Sequence, residues 1–236
     1  MWKVINSGKG SAEKNMAIDA KLLSELSPDG SPILHLYDWE EECATYGHFL
    51  KPHTVLDMKQ ATSRGMKIVK RPTGGGIIFH MYDFAFSVIV PANCNCFCTN
   101  TLDNYHFINS KVKEAIKKHI HPNHNLTFLF EPPPPLDRSC ANFCMAMLTK
   151  YDLVVGDKKI VGAAQRRQKQ GYLHQGSIAI ALPKKDLLRE LLLPGTRVEE
   201  AMFRNTFFIL DEGWSSDDLQ NLRATLKREL QKEFIQ

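Results

Sequence analysis

Residues 84–90 constrain the fold of this chain more than any other segment. The run from Phe84 to Val90 is apolar at every position except Ser87. A strand with one solvent-facing side alternates polar and apolar residues, whereas a strand covered on both sides is apolar throughout. The run is also far shorter than the roughly 20 residues that cross a bilayer. We therefore expect a central strand with packed layers on both faces, and no membrane span.

The remaining elements follow one another without a regular alternation of strand and helix. Apolar spacing predicts helices over 12–26, 54–63, 103–120 and 219–234, and strands over 33–39, 43–49, 68–71, 151–155, 159–163 and 177–182. This order favours an α+β fold with a mixed, largely antiparallel sheet flanked by helices. The prolines at 132–135 resemble a linker, but the later strands look like partners for the earlier ones. We expect a single domain over 1–236.

Charge and cysteine content set the expected partners and compartment. Lys and Arg number 30 and Asp and Glu 26, and the net charge of +4 gives little support to nucleic-acid binding. The first residues lack the apolar core of a secretory signal, so the six cysteines are expected as thiols in a reducing cytoplasm. The run Cys94-Asn95-Cys96-Phe97-Cys98 lacks the paired C-x2-C spacing of a structural zinc site. It is interpreted as a loop of free thiols, and no metal site is predicted.

A glycine-rich segment follows one of the predicted strands. The run Arg71-Pro72-Thr73-Gly74-Gly75-Gly76 precedes apolar residues that end at His80. Three consecutive glycines cost about 0.5–1 kcal/mol each in backbone freedom, so a close contact or an unusual dihedral angle is expected to offset them. Backbone N–H groups in such a loop can hold a carboxylate or phosphate, with Arg71 beside them as a fixed charge. A tight hairpin turn is the alternative interpretation.

A second segment places a lysine among small and apolar residues. In the predicted strand, Lys159 shares a face with Val161 and Ala163, and Gly162 leaves room for a ligand to pass over the strand. A buried ammonium group requires a partner. The alternative is a lysine at the edge of a strand, with its charge in water.

Together, these segments resemble the lipoate protein ligase and octanoyltransferase family. The resemblance spans about residues 3 to 182 and implies the fold of the biotin and lipoate protein ligase catalytic domain. It also implies attachment of an octanoyl or lipoyl group to a lysine of lipoyl domains, in 2-oxoacid dehydrogenases or the glycine cleavage H protein. The matching residues are Asn15-Met16-Ala17-Ile18-Asp19, the run 71–76 with His80, Asp157-Lys158-Lys159-Ile160-Val161-Gly162-Ala163-Ala164-Gln165, and Leu173-His174-Gln175-Gly176-Ser177.

The resemblance also implies where the substrate lies. The glycine loop would line an acyl tunnel for octanoate or lipoate, with Arg71 and His80 near its mouth, and Lys159 would reach the acyl carbonyl or carboxylate. A cation in a water-poor pocket stabilises negative charge on oxygen far more than it does in bulk water. The predicted substrate-binding residues are Arg71, Thr73, Gly74, Gly75, Gly76, His80, Gly162, Ala163, Ala164, Gln165, His174 and Gly176.

Members of this family activate the acyl group in two ways, and the resemblance leaves both open. Octanoyltransferases take it from acyl carrier protein through a cysteine thioester and need no cofactor, whereas ligases use ATP and magnesium to form an adenylate. Cys144 lies fifteen residues before Lys159, the spacing of the nucleophile in one branch of octanoyltransferases. Cys144 and Lys159 are therefore the predicted catalytic residues, with Cys140 as a competing thiol. The cysteine route is favoured over a ligase and over a non-catalytic module that binds a lipoyl domain or an acyl group.

A run of cations lies beside the predicted site. Such a run is usually a solvated face, but it can also steer an acidic lipoyl domain or carrier protein toward a tunnel. The cations are Lys158, Lys159, Arg166, Arg167 and Lys169.

Overall fold

Two β-sheets and six α-helices build the part of the protein that the computed structural model describes, residues 1–235. The strands are β1 (Lys3–Gly10), β2 (Ile33–Trp39), β3 (Cys43–Tyr46), β4 (Lys67–Lys70), β5 (Ile77–His80), β6 (Asp83–Pro91), β7 (Leu126–Phe128), β8 (Leu153–Val155), β9 (Lys158–Gln168) and β10 (Gly171–Ala179). The α-helices are α1 (Ala12–Ser24), α2 (Met58–Ser63), α3 (Thr101–Ile116), α4 (Lys185–Leu191), α5 (Val198–Asn205) and α6 (Ser216–Ile235). Short 3₁₀ turns lie at Pro52–Thr54, Lys117–His119 and Cys140–Asn142.

The larger sheet has the strand order β1-β2-β6-β10-β9-β8-β7. In it, β1 pairs with β2 in parallel and the other pairs are antiparallel. The smaller sheet has the order β4-β3-β5, with one parallel and one antiparallel pair. The predicted α+β fold with mixed, largely antiparallel pairing is confirmed, although the strands divide between two sheets.

Strand β6 lies inside the larger sheet, and all of its residues are buried. Phe84 and Phe86 belong to the main core, which also contains residues of α3 and α6. Ala85 and Ile89 pack instead in small clusters with Met16 and other residues of α1. Because side chains alternate along a strand, helices on both sides of the sheet require apolar residues at nearly every position. The position of β6 in the sheet therefore confirms the central strand that its apolar run predicts.

A second core lies between the smaller sheet and helices α4 and α5. It contains Ile77 of β5, Leu188 of α4 and Met202 of α5. Phe143, from the irregular segment before β8, is buried in the same core. This packing holds residues 140–148 over the smaller sheet, next to the glycine-rich loop.

Several elements differ from the prediction. The sequence does not predict β1, an edge strand rich in polar residues, or β7, α4 and α5, which are too short for a clear period. Strands β9 and β10 extend farther than expected, because the polar and charged residues 165–169 form the partly exposed end of their hairpin. The predicted strand 43–49 ends at Tyr46, and the predicted helix 54–63 is divided into a 3₁₀ turn and α2, which Asp57 caps.

The loop after β6 corrects the interpretation of the cysteine run. Backbone turns at Cys94 bring Cys94 and Cys96 together, and their sulfurs form a disulfide with the Cα atoms 5.2 Å apart. The expectation of free thiols is therefore wrong for this pair, whereas Cys98 is free. Within residues 1–235, no three His, Cys, Asp or Glu side chains form a group that could hold a metal ion. Nor does any helix of that range combine the length and apolarity that a membrane span requires.

Candidate active site

The glycine loop, residues 71–76, joins β4 to β5, which lie on opposite sides of β3. The loop is therefore not a hairpin turn. Gly75 has a φ of +85°, a conformation that favours glycine. A Cβ on Gly76 would lie 2.4 Å from the carbonyl oxygen of Asn142, so the chain before Cys144 passes directly over this residue. The unusual dihedral angle and the close contact predicted for the loop are both present.

Arg71 is buried against the glycine loop and holds its shape. Its Nη2 donates to the carbonyl oxygens of Gly74 and Gly76, each at 2.7 Å. Its Nε donates to the hydroxyl of Thr73 at 3.1 Å. The same Nη2 lies 3.6 Å from the sulfur of Cys144. One fixed positive charge therefore contacts both the loop and the predicted nucleophile.

Cys144 is presented by backbone pairing with β5. Phe143 forms an isolated parallel bridge with Ile77, and the Cys144 N–H donates to the Ile77 carbonyl at 2.9 Å. The Cys144 side chain is half-buried, and a Cβ on Gly75 would lie 3.7 Å from its sulfur. Cys140, in the preceding 3₁₀ turn, is fully buried, and burial raises the pKa of its thiol. Of the two thiols, Cys144 is the one beside the glycine loop.

A narrow cavity between the two sheets begins at Cys144. It is small, it opens to solvent at its mouth, and most of its wall is apolar. Its inner wall includes Met16 and Tyr37, which also form a small buried cluster. Ala163 and Ala164 line the cavity and also an open depression on the other side of the glycine loop. The shape and polarity suit an extended acyl chain whose carbonyl end lies near the sulfur.

The open depression forms the outer part of the site. Besides the two alanines, its walls include Gly74, Leu102 and Lys150. Tyr105 also lines it, and burial raises the pKa of this phenol to about 12, so the hydroxyl is neutral at physiological pH. A protein-bound substrate can approach Cys144 from this side.

Lys159 is buried behind Cys144, with 2% of its surface exposed. Its Nζ lies 2.7 Å from a carboxylate oxygen of Asp152 and donates to the carbonyl oxygens of Cys144 and Met147 at 2.7 and 2.6 Å. An ammonium group has three protons, so these contacts use all of its donors. Burial raises the pKa of Asp152, and the ion pair with Lys159 opposes that shift. The alternative of a water-exposed lysine is wrong, and Lys159 fastens the segment after Cys144 to β9.

His80 lines the cavity and is fixed at both ring nitrogens. Nδ1 lies 2.8 Å from Asp83 Oδ2, and Nε2 lies 2.9 Å from the hydroxyl of Thr45. Trp39 stacks on the ring with the centroids 4.2 Å apart. Burial by itself raises the pKa of Asp83, but His80 and the Ser177 hydroxyl together lower it below its usual value. His80 therefore has little freedom to rotate and serves as a fixed polar wall.

Adjacent residues of β10 point to opposite faces of the sheet. His174 is fully buried on the side of α3, where its Nδ1 accepts from the amide of Gln165 at 2.9 Å. Burial lowers the pKa of His174 to about 3, so the imidazole is neutral. Gln175 faces the cavity, and its amide joins Thr73 to Asp19 with distances of 2.7 and 2.6 Å. The structure thus brings Gln175 to the cavity and leaves His174 behind the sheet.

The structure brings most of the predicted residues to one place. The cavity wall includes Arg71, His80, Cys144, Ala163, Ala164 and Gly176, and the depression includes Gly74, Gly75 and Gln165. Thr73, Gly76, Lys159 and Gly162 support these walls from behind.

The matching motifs include Asp19, Gln175 and Ser177, but the sequence does not place these polar residues around the cavity. Gln175 and Ser177 occupy alternate positions in a largely apolar strand, which is the pattern that would have indicated a polar wall. Gln175 and Ser177 share one face of β10, Gln175 pairs with Ser87 of β6, and Asp19 of α1 contacts both Gln175 and Ser87.

Comparison with known proteins assigns the chain to a family. Residues 11–200 match the model of the lipoyl protein ligase A/B catalytic domain. The chain belongs to this family. The octanoyltransferase LipM of Kyrpidia tusciae is 30% identical over 207 residues, which cover 87% of this chain and 75% of that protein. The octanoyltransferase LipM of Bacillus subtilis is 29% identical over 211 residues, which cover 86% and 74%. The resemblance drawn from the motifs is confirmed.

Two solved structures, of a lipoate-protein ligase and of a protein with bound lipoic acid, share the fold. Lipoate-protein ligase A bound with ATP superposes with a TM-score of 0.71 at 19% identity, covering 99% of this chain and 84% of that one. Protein Ta0514 of T. acidophilum with bound lipoic acid gives a TM-score of 0.70 at 20% identity, covering 99% and 86%. The predicted lipoate protein ligase-like catalytic fold is therefore confirmed.

Proposed function

We propose that this chain is an octanoyltransferase that moves the acyl group through a thioester on Cys144 to a lysine of a lipoyl-domain protein. One observation carries the proposal: the Cys144 sulfur lies at the wall of an apolar cavity, beside Gly75 and 3.6 Å from the guanidinium of Arg71. The relatives named octanoyltransferase LipM support the same activity. A thiol in this position can hold an acyl chain covalently while the chain occupies the cavity.

The transfer takes place in two steps. The Cys144 thiolate attacks the carbonyl carbon of a donor thioester, a new carbon–sulfur bond forms, and the donor sulfur leaves and takes up a proton. The ε-amine of the acceptor lysine then attacks the same carbon, an amide bond forms, and Cys144 is released as the amine loses a proton. Each step exchanges one acyl bond for another, so neither requires a nucleotide or a metal.

The shape of the site supports the proposed acyl group and the proposed protein-borne substrates. The cavity is narrow and mainly apolar, which suits the tail of an octanoyl group, and a lipoyl group has a similar apolar tail. The depression is open to solvent and admits a side chain carried by a folded protein. We infer acyl carrier protein as the donor, a lipoyl domain as the acceptor, and the cytoplasm as the compartment.

Lys159 has a positioning role in this proposal. All of its donors are occupied, two of them by the carbonyl oxygens of Cys144 and Met147. The lysine therefore fixes the backbone that presents the nucleophile, instead of contacting the acyl oxygen in this arrangement.

The proposal is tested by incubating the chain with octanoyl-acyl carrier protein and a lipoyl domain in the absence of nucleotide. We expect an octanoylated lipoyl domain with the wild type. Cys144→Ser should give no detectable product, and Cys140→Ser, a matched change in the same segment, should retain activity. The mass of the acceptor domain is the readout.

Two other outcomes would replace the proposal. If modification requires free octanoate or lipoate with ATP and magnesium, and Cys144→Ser remains active, the chain is a ligase that forms an adenylate. If no combination of donor and acceptor gives product while the lipoyl domain still binds, the chain is a binding module.

A further inference from the structure

We infer that Arg71 is the cation that stabilises negative charge on the Cys144 sulfur, and that Asp19, Gln175 and Thr73 hold it in place. This inference rests on the proposed function, because it assigns residues to the thioester chemistry at Cys144. It gives this role to Arg71 and not to Lys159, whose ammonium group is paired elsewhere. The residues Gln175 and Thr73 become positioning residues for the reaction.

The contacts of the two buried cations separate their roles. The Arg71 Nη2 lies 3.6 Å from the Cys144 sulfur, so its positive charge is close to a thiolate there, while its two protons go to the carbonyl oxygens of Gly74 and Gly76. The Lys159 ammonium contacts the carbonyl oxygen of Cys144 instead, and Asp152 offsets its charge. Arg71 has no carboxylate within salt-bridge distance among residues 1–235, so its charge is available to the sulfur. Its remaining donors go to neutral oxygen atoms.

A directed series of hydrogen bonds reaches Arg71 from helix α1. Gln175 Nε2 donates to Asp19 Oδ2 at 2.6 Å, which leaves Gln175 Oε1 to accept from the Thr73 hydroxyl at 2.7 Å. Because the only hydroxyl proton of Thr73 is used in that bond, its oxygen accepts from Arg71 Nε at 3.1 Å. Each group thereby fixes the orientation of the next.

The series is buried along its whole length. Asp19 and Thr73 are completely buried, and Gln175 and Arg71 expose 7% and 5% of their surface. Buried hydrogen bonds to a charged group are stronger than exposed ones and tolerate little misalignment. Buried hydrogen bonds, and not contacts with water, therefore hold the Arg71 guanidinium group next to the Cys144 sulfur.

The thioester chemistry requires such a charge twice. The sulfur is negative before it attacks the donor thioester, and it becomes negative again when the acceptor amine displaces it. A guanidinium that stays in place through both steps increases the thiolate fraction available for the attack and stabilises the sulfur as the leaving group in the second step.

The other titratable groups near the sulfur either pair with an oppositely charged group or are neutral. Asp152 pairs with Lys159, and His80 pairs with Asp83 on the cavity wall. Tyr105 stays a neutral phenol because burial raises its pKa to about 12. Arg71 is thus the charged group that changes sulfur reactivity when it is removed.

The experiment measures the alkylation of Cys144 by iodoacetamide across a pH series, with the labelled peptide quantified by mass spectrometry. It needs neither acyl donor nor acceptor, so it separates failure of this inference from failure of the proposed function. Arg71→Lys and Arg71→Gln should lower the alkylation rate near neutral pH about tenfold or more, the effect expected when a charged hydrogen bond is lost.

The positioning residues are tested by Thr73→Val and Gln175→Met, which retain volume and remove the hydrogen bonds. We expect alkylation about threefold to tenfold slower than in the wild type. Ser87→Ala is the matched control, since Ser87 also donates to Asp19 Oδ2, at 2.6 Å, but lies outside the series. It should alkylate at the wild-type rate. Thermal unfolding of each variant identifies any that fail to fold.

The inference fails if folded Arg71 variants are alkylated at the wild-type rate. It also fails if Lys159→Met combined with Asp152→Asn, which removes the buried ion pair as a unit, slows alkylation more than Arg71→Lys does. Equal effects of Ser87→Ala and Gln175→Met would assign Gln175 a purely structural role.

Discussion

At the scale of single residues, the site depends on the close approach of the glycine-loop backbone to the backbone of the segment that carries Cys144. Gly76 lies under the peptide that leads to Phe143 and Cys144. The sequence predicts that three consecutive glycines need such a contact, but it does not show which segment makes it, since Asn142 lies 66 residues away along the chain. A run of glycines can be recognised in the sequence, because each glycine loses conformational entropy on folding and therefore needs a reason to be there. The segment that packs against the run depends on the tertiary structure.

Gly76→Ala tests this close approach. The new Cβ would lie 2.4 Å from the Asn142 carbonyl oxygen, so the segment that carries Cys144 must move. We expect a loss of about 1–3 kcal/mol in the free energy of unfolding and a strong loss of acyl transfer. Gly74→Ala is the stability control, because an added Cβ there meets nothing within 4 Å. Equal unfolding free energies for the two variants would contradict the packing described for Gly76.

The pH dependence of stability tests the burial of His174. Burial lowers its pKa from 6.5 to about 3, so between these values the unfolded state binds a proton that the folded state does not. Stability should therefore rise with pH through this window and level off above it. From pH 6.5 to about 5, the wild type should lose roughly 1–2 kcal/mol more than His174→Gln. Denaturant unfolding at several pH values measures the difference, and parallel curves for the two proteins would refute it.

At the scale of elements, Lys159 of strand β9 links the larger sheet to the segment that carries Cys144. The alternation of Lys159 with Val161 and Ala163 predicts that the lysine points inward, and the structure agrees. Its partner, Asp152, lies just before β8, and the contact arises because β8 and β9 form a hairpin. Strand alternation is thus predictable from sequence, but the choice between a ligand contact and an internal ion pair is not.

The ion pair gives an element-scale prediction for stability. Lys159→Met leaves the Asp152 carboxylate buried without its cation, which should reduce the unfolding free energy by about 3–5 kcal/mol. Adding Asp152→Asn removes that charge, so the double variant should recover much of the loss. Chemical denaturation of both variants provides the measurement. A double variant no more stable than Lys159→Met would show that Asp152 is not the source of the loss.

At the scale of the whole molecule, the order of elements predicts the α+β class and the mixed pairing. It does not predict that the strands form two sheets with a cavity between them. That separation depends on which edges pair, and β3, β4 and β5 are too short for their apolar patterns to decide it. The prediction of a single domain over 1–236 stays a prediction. The sequence does not place the polar residues of these strands at a cavity, because a lone serine or glutamine in an apolar strand also occurs in ordinary cores.

Cations around the open depression support electrostatic steering of an acidic partner. Lys150 lines the depression, and Arg166 donates to the Pro72 carbonyl beside the glycine loop. Lys70, assisted by partial burial and by Arg166, lowers the pKa of the nearby His48. Since charges are screened beyond about 10 Å at 0.1 M salt, added salt should slow transfer to a lipoyl domain. Alkylation of Cys144 by a neutral reagent is the control, and equal salt dependence of both rates would exclude steering.

The covalent state of Cys144 tests the central claim most directly. The chain is incubated with octanoyl-acyl carrier protein without acceptor, quenched in acid, and analysed by intact mass and peptide mapping. The account predicts a gain of one octanoyl group on Cys144, released by hydroxylamine and consumed when a lipoyl domain is added. An unmodified Cys144 under conditions in which the lipoyl domain does become octanoylated would contradict it.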